Sequence, residues 1–274
     1  MSDFTEHPLR KELSEEVHAR PYGLLKAPVR VAHLAVLSGE GGVDDDNKHI
    51  ALLCKAFNVP EPASDARHYS GVLNSSDECE LRMKWERHTE FSSYTFYCSG
   101  DFDDPFAASV VDMLPADWLA KMPGEVLSAT NLSLEGAETS EREFTDLADL
   151  FANNLVTGSA MRGGQALVWT DFRVHEDGFN RILVRDQGMN QRQGGRLIQR
   201  LLEVSAYRMM AMLAFPLARD VLPRVSQAEA TLNELMDGMA SSDGGEDERR
   251  VLKKLTALAA DIESLSLKSN YRFS

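Results

Sequence analysis

The chain has 274 residues, 43 of them acidic against 29 Lys and Arg, and a formal net charge of −14. With 43% hydrophobic and 26% charged residues it has the profile of a soluble globular protein, which excludes collagen-like, disordered and disulfide-scaffold classes. So acidic a chain is a poor non-specific binder of polyanions, and no nucleic-acid partner is expected.

Residues 1–28 read as an N-terminal arm, because the prolines of HARPYG at 18–23 and KAP at 26–28 block regular helix. Val29–Leu37, VRVAHLAVL, is a compact apolar run that predicts a buried strand. A helix follows, opened by the acids Asp44, Asp45 and Asp46 and carrying Ile50, Leu53, Cys54 and Phe57 at helical spacing. Arg67–Leu73 is a weak strand candidate. Cys79–His88 alternates strictly, with Cys79, Leu81, Met83 and Trp85 facing the core and Glu80, Arg82, Lys84 and Glu86 facing water. The aromatic, β-prone Phe91–Cys98 pairs back on it. Pro105 suits the first turn of a helix over 106–120. A strand at Val126–Leu134 and an amphipathic helix at 141–152 come next. Strands at Leu155–Met161, Ala166–His175 and Phe179–Arg185 complete the sheet, the last two joined by the hairpin signal Glu-Asp-Gly.

The last third is helical. Asn190–Leu222 carries a wide apolar face and should kink at Pro216. Ser226 with Glu229 has the spacing of a capping box and predicts a new helix start. Val251, Leu255, Leu258, Ile262 and Leu265 then follow coiled-coil spacing. The expectation is an α+β (α/β) fold. It has a mixed, largely antiparallel sheet of about seven or eight strands with flanking helices, followed by a C-terminal helical hairpin. Its expected divisions are an arm at 1–28, an α/β domain at 29–222 and a helical appendage at 223–274.

Four groups of residues are chemically suggestive. Glu86 and His88 share a strand face and have the residue types of an acid–base pair. Asp171 and His175 share another face, but an extended strand sets them roughly 13 Å apart, too far for direct contact. Arg192, Arg196 and Arg200 form a basic stripe at i, i+4, i+8 beside Gly194-Gly195. With Arg181 and Arg185 from the hairpin before it, the stripe has the charge to hold a phosphate, nucleotide or lipid headgroup. Asp44, Asp45 and Asp46, and Asp101, Asp103 and Asp104, are clustered carboxylates of the kind that hold Mg²⁺ or Ca²⁺, without the glycine and terminal glutamate of an EF-hand loop. For each group an ordinary role competes: a solvated sheet face, internal ion pairs or a helix cap.

No GxGxxG, Walker A, GxSxG, HExxH or kinase signature occurs. The N-terminus lacks the apolar core of a signal peptide, and the most apolar run, Tyr207–Ala218, contains Arg208 and is short of the ~20 residues that span a bilayer. No membrane span is therefore expected. Cys54, Cys79 and Cys98 have no metal-site spacing and read as reduced, mostly buried thiols.

HPLRKELSEEVHARP at 7–21, KWERHTEF at 84–91, WTDFRVHEDGFNRILVRD at 169–186 and RLIQRLLEVSAYRMMAMLAFPLAR at 196–219 together resemble a bacterial family of membrane-anchored proteins, domain of unknown function 3422. The resemblance runs from His7 to Phe273 and carries over no catalytic residue. It implies longer relatives that continue past Phe273 into a long helix and a hydrophobic C-terminal segment. On that footing this chain is a truncated piece, attached to the membrane through a segment it does not contain. In layout the chain is also similar to CorA-type divalent-cation channels, whose soluble domain is cytoplasmic, forms a ring and senses Mg²⁺. That analogy is the only pointer to a cofactor. The sequence reading is therefore a non-enzymatic cytoplasmic domain at the bacterial inner membrane, serving assembly or ligand sensing and homo-oligomeric through its C-terminal helices. Two alternatives stand beside it: an anion- or nucleotide-binding module on the Arg192, Arg196 and Arg200 stripe, and an enzyme with an acid/base site on the exposed sheet face.

Overall fold

A computed structural model describes residues 7, 10, 22–37, 42–76, 79–140, 142–240 and 245–273. The chain divides into two compact units, Met1–Ala206 and Tyr207–Ser274. The first is built on eight strands: β1 Val29–Leu37, β2 His68–Ser75, β3 Glu80–Arg87, β4 Ser92–Ser99, β5 Glu125–Glu135, β6 Thr157–Met161, β7 Ala166–Val174 and β8 Asn180–Asp186. Their order across the sheet is β2-β3-β4-β1-β5-β8-β7-β6. Every neighbouring pair is antiparallel except β5 and β8. The mixed sheet with flanking helices and a C-terminal hairpin is the architecture the alternation and turn signals predict.

Helices cover both faces. On one face Ala32, Leu34 and Val36 of β1 join Leu81, Met83, Trp85, Tyr94 and Phe96. They pack under Ile50, Leu53 and Cys54 of helix α1 (Gly42–Ala56) and Trp118 of the short helix α2 (Ala116–Ala120). On the other face Val29 and Val31 join Leu132, Leu134, Ile182 and Val184 beneath Leu197, Ile198 and Leu202 of helix α4 (Gln191–Met212). The intervening helix α3 (Phe144–Leu150) adds a third cluster around Phe106, Phe151 and Leu183.

Several expectations are corrected. The helix expected at 106–120 is a 3₁₀ turn at Val110–Met113 followed by α2. Ser109 accepts from Val111 N and its own N donates to Asp112, a cap that opens the turn, and Leu114, extended before Pro115, ends it after one round. The predicted kink at Pro216 is a break at Leu213. Helix α5 (Ala214–Ala240) restarts there with Pro216 in its first turn, where a missing N–H costs nothing. It runs straight through Ser226, so no helix begins at that residue. Cys79 and Cys98 are joined by a disulfide and only Cys54 is a free thiol among the described residues, in place of three reduced cysteines. Among the described residues one helical run, Gln191–Asp237, is long and apolar enough by length and composition alone to cross a bilayer, where the sequence reading found none. Leu202, Ala206 and Met210 within it are buried in the fold.

In the second unit α5 pairs with helix α6 (Gly245–Phe273) as the expected hairpin. Val251, Leu255, Leu258 and Leu265 of the predicted seam are half-buried, whereas Ile262 is half-exposed.

Gly194 and Gly195 have a structural use. The strap Tyr22–Leu25 crosses α4, with Leu25 N donating to the Gln191 carbonyl at 3.1 Å. A β-carbon on Gly195 would lie 1.8 Å from the Gly23 carbonyl oxygen, and one on Gly194 would lie 3.3 Å from that of Leu25. Ala is ordinarily better than Gly inside a helix by about 1 kcal/mol. Here Gly195→Ala is expected to destabilise by about 1–3 kcal/mol, the usual cost of overpacking, and to lower the thermal midpoint. A raised midpoint would show that the strap does not lie against the helix.

Candidate functional site

The sheet's second face carries an unexpected polar layer. His33, on the central strand β1, pairs in register with Thr95 of β4 and Thr130 of β5, and Thr95 pairs with Lys84 of β3. Register partners share a face, so Lys84, Thr95, His33 and Thr130 form one row across four strands. The adjacent row is Glu86, Ser93, Ala35 and Ser128. All but Lys84 are buried, and Lys84 keeps only 16% of its side chain exposed. The alternation of β3 was legible in the sequence, but its charged face is closed to water at Lys84 and Glu86 and exposed at Glu80.

The layer is largely self-satisfied. His33 Nδ1 and Thr95 Oγ1 lie 2.9 Å apart, Lys84 Nζ is 2.9 Å from Glu86 Oε1, and Thr130 Oγ1 is 3.2 Å from Ser205 Oγ on α4. Ser93 donates to the Glu86 carbonyl at 3.5 Å and stands 3.2 Å from His88 Nε2, while the His88 ring stacks on Phe91. His33 Nε2 and Ser128 Oγ are buried without a hydrogen-bond partner. Burial, then the Lys84 charge, pushes His33 down to about 4, so the ring is neutral at physiological pH.

A second polar knot sits under α1. Asp46 is fully buried and accepts from Arg87 Nη1 at 2.6 Å, Ser92 Oγ at 2.5 Å and Tyr94 OH at 3.0 Å. Burial and the Asp46 charge hold the Tyr94 hydroxyl well above its ordinary range. His49, one turn further along α1, stacks on Trp118 and is pushed down to about 4 by burial, a shift the Asp46 charge partly offsets.

The predicted residues are placed as follows. Asp44 and Asp45 are exposed in the first turn of α1 and Asp46 belongs to the knot just described. Asp101, Asp103 and Asp104 are exposed, and Asp104 caps the backbone at Phe106. No group of three potential metal ligands occurs among the described residues. Arg181 donates to the Leu150 carbonyl at 2.6 Å, and Arg185 donates to the Ser140 carbonyl at 2.6 Å and to Glu135 at 3.3 Å. Glu135 also accepts from Arg142. Both β8 arginines alternate with Ile182 and Val184, which face α4, so they lie on the opposite face from the stripe. On α4 itself Arg192, Arg196 and Arg200 are exposed. Arg196 stacks on the Tyr22 ring, donates to its hydroxyl at 2.8 Å and holds that hydroxyl below its ordinary pKa. The five arginines therefore do not converge.

Asp171 and His175 do meet. The His175 Nε2 atom is 2.9 Å from Asp171 Oδ2, without hydrogen-bond alignment. Asn154 donates to the same carboxylate at 2.8 Å. The extended-strand estimate of ~13 Å fails because β7 bulges between Thr170 and Val174, with Phe172 at φ 56°. Glu86 and His88 lie at the second strand of the sheet and Asp171 and His175 at the seventh, about 25 Å apart at the usual strand spacing. The four are not one pocket.

Sequence reasoning missed His33, Thr95 and Thr130. The available signal was His33, at the middle of VRVAHLAVL and in phase with Val29, Val31 and Ala35.

Chemically, four buried carboxylates of this unit are spent inward: Asp46 on Arg87, Glu86 on Lys84, Glu135 on Arg142 and Arg185, Asp171 on Asn154 and His175. The matching family model covers residues 5–274 and is described as protein of unknown function (DUF3422). The chain belongs to the DUF3422 family. No curated protein and no solved structure matches it.

His33 and His49 take a proton near 6.5 when unfolded but only near 4 when folded. The unfolded chain thus binds more protons between those values. The stabilisation is complete above pH 6.5, declines as pH falls through the window and levels off below about 4, a loss of a few kcal/mol in all. Urea unfolding at pH 7.5 and 5.0 should show a smaller loss for His33→Gln than for the natural chain. Equal losses would show that His33 does not remain neutral inside.

Proposed function

We propose that this chain is a non-enzymatic assembly or ligand-sensing module, the soluble part of a membrane-attached protein that works as a homo-oligomer. The observation that carries the reading is the contrast between the two units. In the first, charged and polar side chains are turned inward and matched to each other. Large apolar side chains stand in water in both units, Phe144 and Leu155 among those of the first, but in the second they lie along two paired helices: Phe215, Leu222, Val225, Leu232 and Met236 on α5, and Leu252, Ile262 and Leu267 on α6. Apolar side chains exposed at steps of three and four along α5 are characteristic of an interaction face. The inward use of Asp46, Glu86, Glu135 and Asp171 favours a structural or sensing role over general acid–base catalysis, which needs a titratable group at an accessible site.

Membrane attachment on the cytoplasmic side is the further part of this proposal. It rests on the resemblance carried by the segments at 7–21, 84–91, 169–186 and 196–219. Ion transport, suggested by the CorA-like layout, would be a property of the membrane-held assembly, and none of the residues described above is given a role in it.

Sedimentation equilibrium of the whole chain is expected to give a mass that is a multiple of 30.5 kDa at micromolar concentration. In the native cell, antibody to the chain is expected to find the protein in the membrane fraction. A single 30.5 kDa species at every concentration would overturn the assembly reading, and a purely soluble distribution would overturn the attachment.

A further inference from the structure

Helix α5 carries two apolar stripes and α6 covers one. The covered stripe includes Leu217, Val221, Ala228 and Thr231, half-buried, and Leu235, buried. Ala228 and Thr231 line the groove against Ala257, Leu258 and Asp261 of α6. One residue further on, Phe215, Ala218, Leu222, Val225, Glu229, Leu232 and Met236 recur at steps of three and four. The large apolar members of this second stripe are 41–68% exposed. Such a repeat is the seam of a helix that packs against another helix. Pro223, the one proline interior to α5, falls beside Leu222 and outside the repeat.

The charges say which helix. The first half of α5 carries Arg219 and Arg224 with Asp220, whereas the second half carries Glu229, Glu234 and Asp237 and no base. A helix basic at one end and acidic at the other is complementary to a copy of itself running the opposite way. An antiparallel pair also sets each a position of the seam against a d position. With Phe215, Leu222, Glu229 and Met236 as a, and Ala218, Val225 and Leu232 as d, one register satisfies the seam. Phe215 meets Leu232 of the second copy, Leu222 meets Val225 and Glu229 meets the small Ala218. In that register the one seam charge, Glu229, comes beside Arg219 of the second copy.

We infer that α5 is a two-fold interface at which two copies of this chain pair antiparallel through the Phe215–Met236 stripe, with Arg219 and Glu229 as reciprocal ion pairs. An isologous contact of this kind uses the same patch twice and closes on itself. The inference rests on the assembly reading above and names the face, the partner and the register.

The test is sedimentation velocity of the whole chain in four forms: natural, Arg219→Glu, Glu229→Arg and the double reversal. Each single reversal sets like charges together and should weaken dimerisation at least ~10-fold, and the double should recover to within about threefold of the natural chain. Leu222→Asp should give monomer, with helix content by circular dichroism unchanged because the side chain is exposed. An oligomer insensitive to the single reversals or to Leu222→Asp overturns this interface and leaves the assembly reading standing. So does a double variant that fails to recover. A natural chain that is monomeric throughout overturns both. A monomer that instead pelts down with phosphatidylglycerol vesicles would show the stripe to be a lipid-facing surface, and would overturn the pairing.

Discussion

Strand β1 stands fourth of eight in the sheet with helices against both faces, so residue 33 has no route to water. Much of the first unit's polar chemistry follows from that enclosure. One face of β1, β3 and β4 is apolar and takes α1. The other changes character along its length, from Val29 and Val31 beneath α4 to His33 and the small Ala35 among hydroxyls. A histidine there is tolerated only neutral, because removing an imidazolium from water costs more than one contact to Thr95 returns. Lys84 and Glu86 are held by the same rule: neither is stable alone at that depth, and they stand 2.9 Å apart.

The knot around Asp46 applies the same logic at the start of α1. Removing Arg87 alone would strand a buried carboxylate, which is costlier than the pair is stabilising. Charges so matched fix how α1 sits on β3 and β4. They also turn these side chains inward, toward one another and away from water. The second unit shows the reverse pattern. A two-helix hairpin has too little interior to bury two long apolar helices, and the surplus remains on the surface as the second stripe of α5.

The sequence was most informative where period alone decides structure. The alternation of β3, the Glu-Asp-Gly hairpin between β7 and β8 and the paired C-terminal helices follow from spacing of two or of three and four. It was least informative where tertiary contact overrides a local signal. Ser226 has the residues of a capping box, but α5 already has its turns packed on α6 and continues through it. Gly194-Gly195 resembles an anion-binding helix start, yet the space its missing β-carbons leave is taken by the strap. Asp171 and His175 were assigned a separation that holds for straight strands, and a bulge at Phe172 removed it. The alternation of β3 sets Glu86 on its charged face, but alternation cannot say whether that face is wet, since that depends on what a helix a hundred residues later lies against.

The orientation of α5 against its counterpart is the sharpest consequence of the account, and pulsed electron–electron spin resonance reads it directly. Nitroxide labels at Ser226 and at Asn233, both exposed and one heptad apart, are compared in separate samples of the whole chain. Antiparallel pairing predicts a distance between copies about 20 Å longer at Asn233 than at Ser226, since each label recedes from the two-fold centre by seven residues at 1.5 Å rise. Equal distances at the two positions would mean parallel helices, and no dipolar signal at either would mean that α5 does not pair with itself.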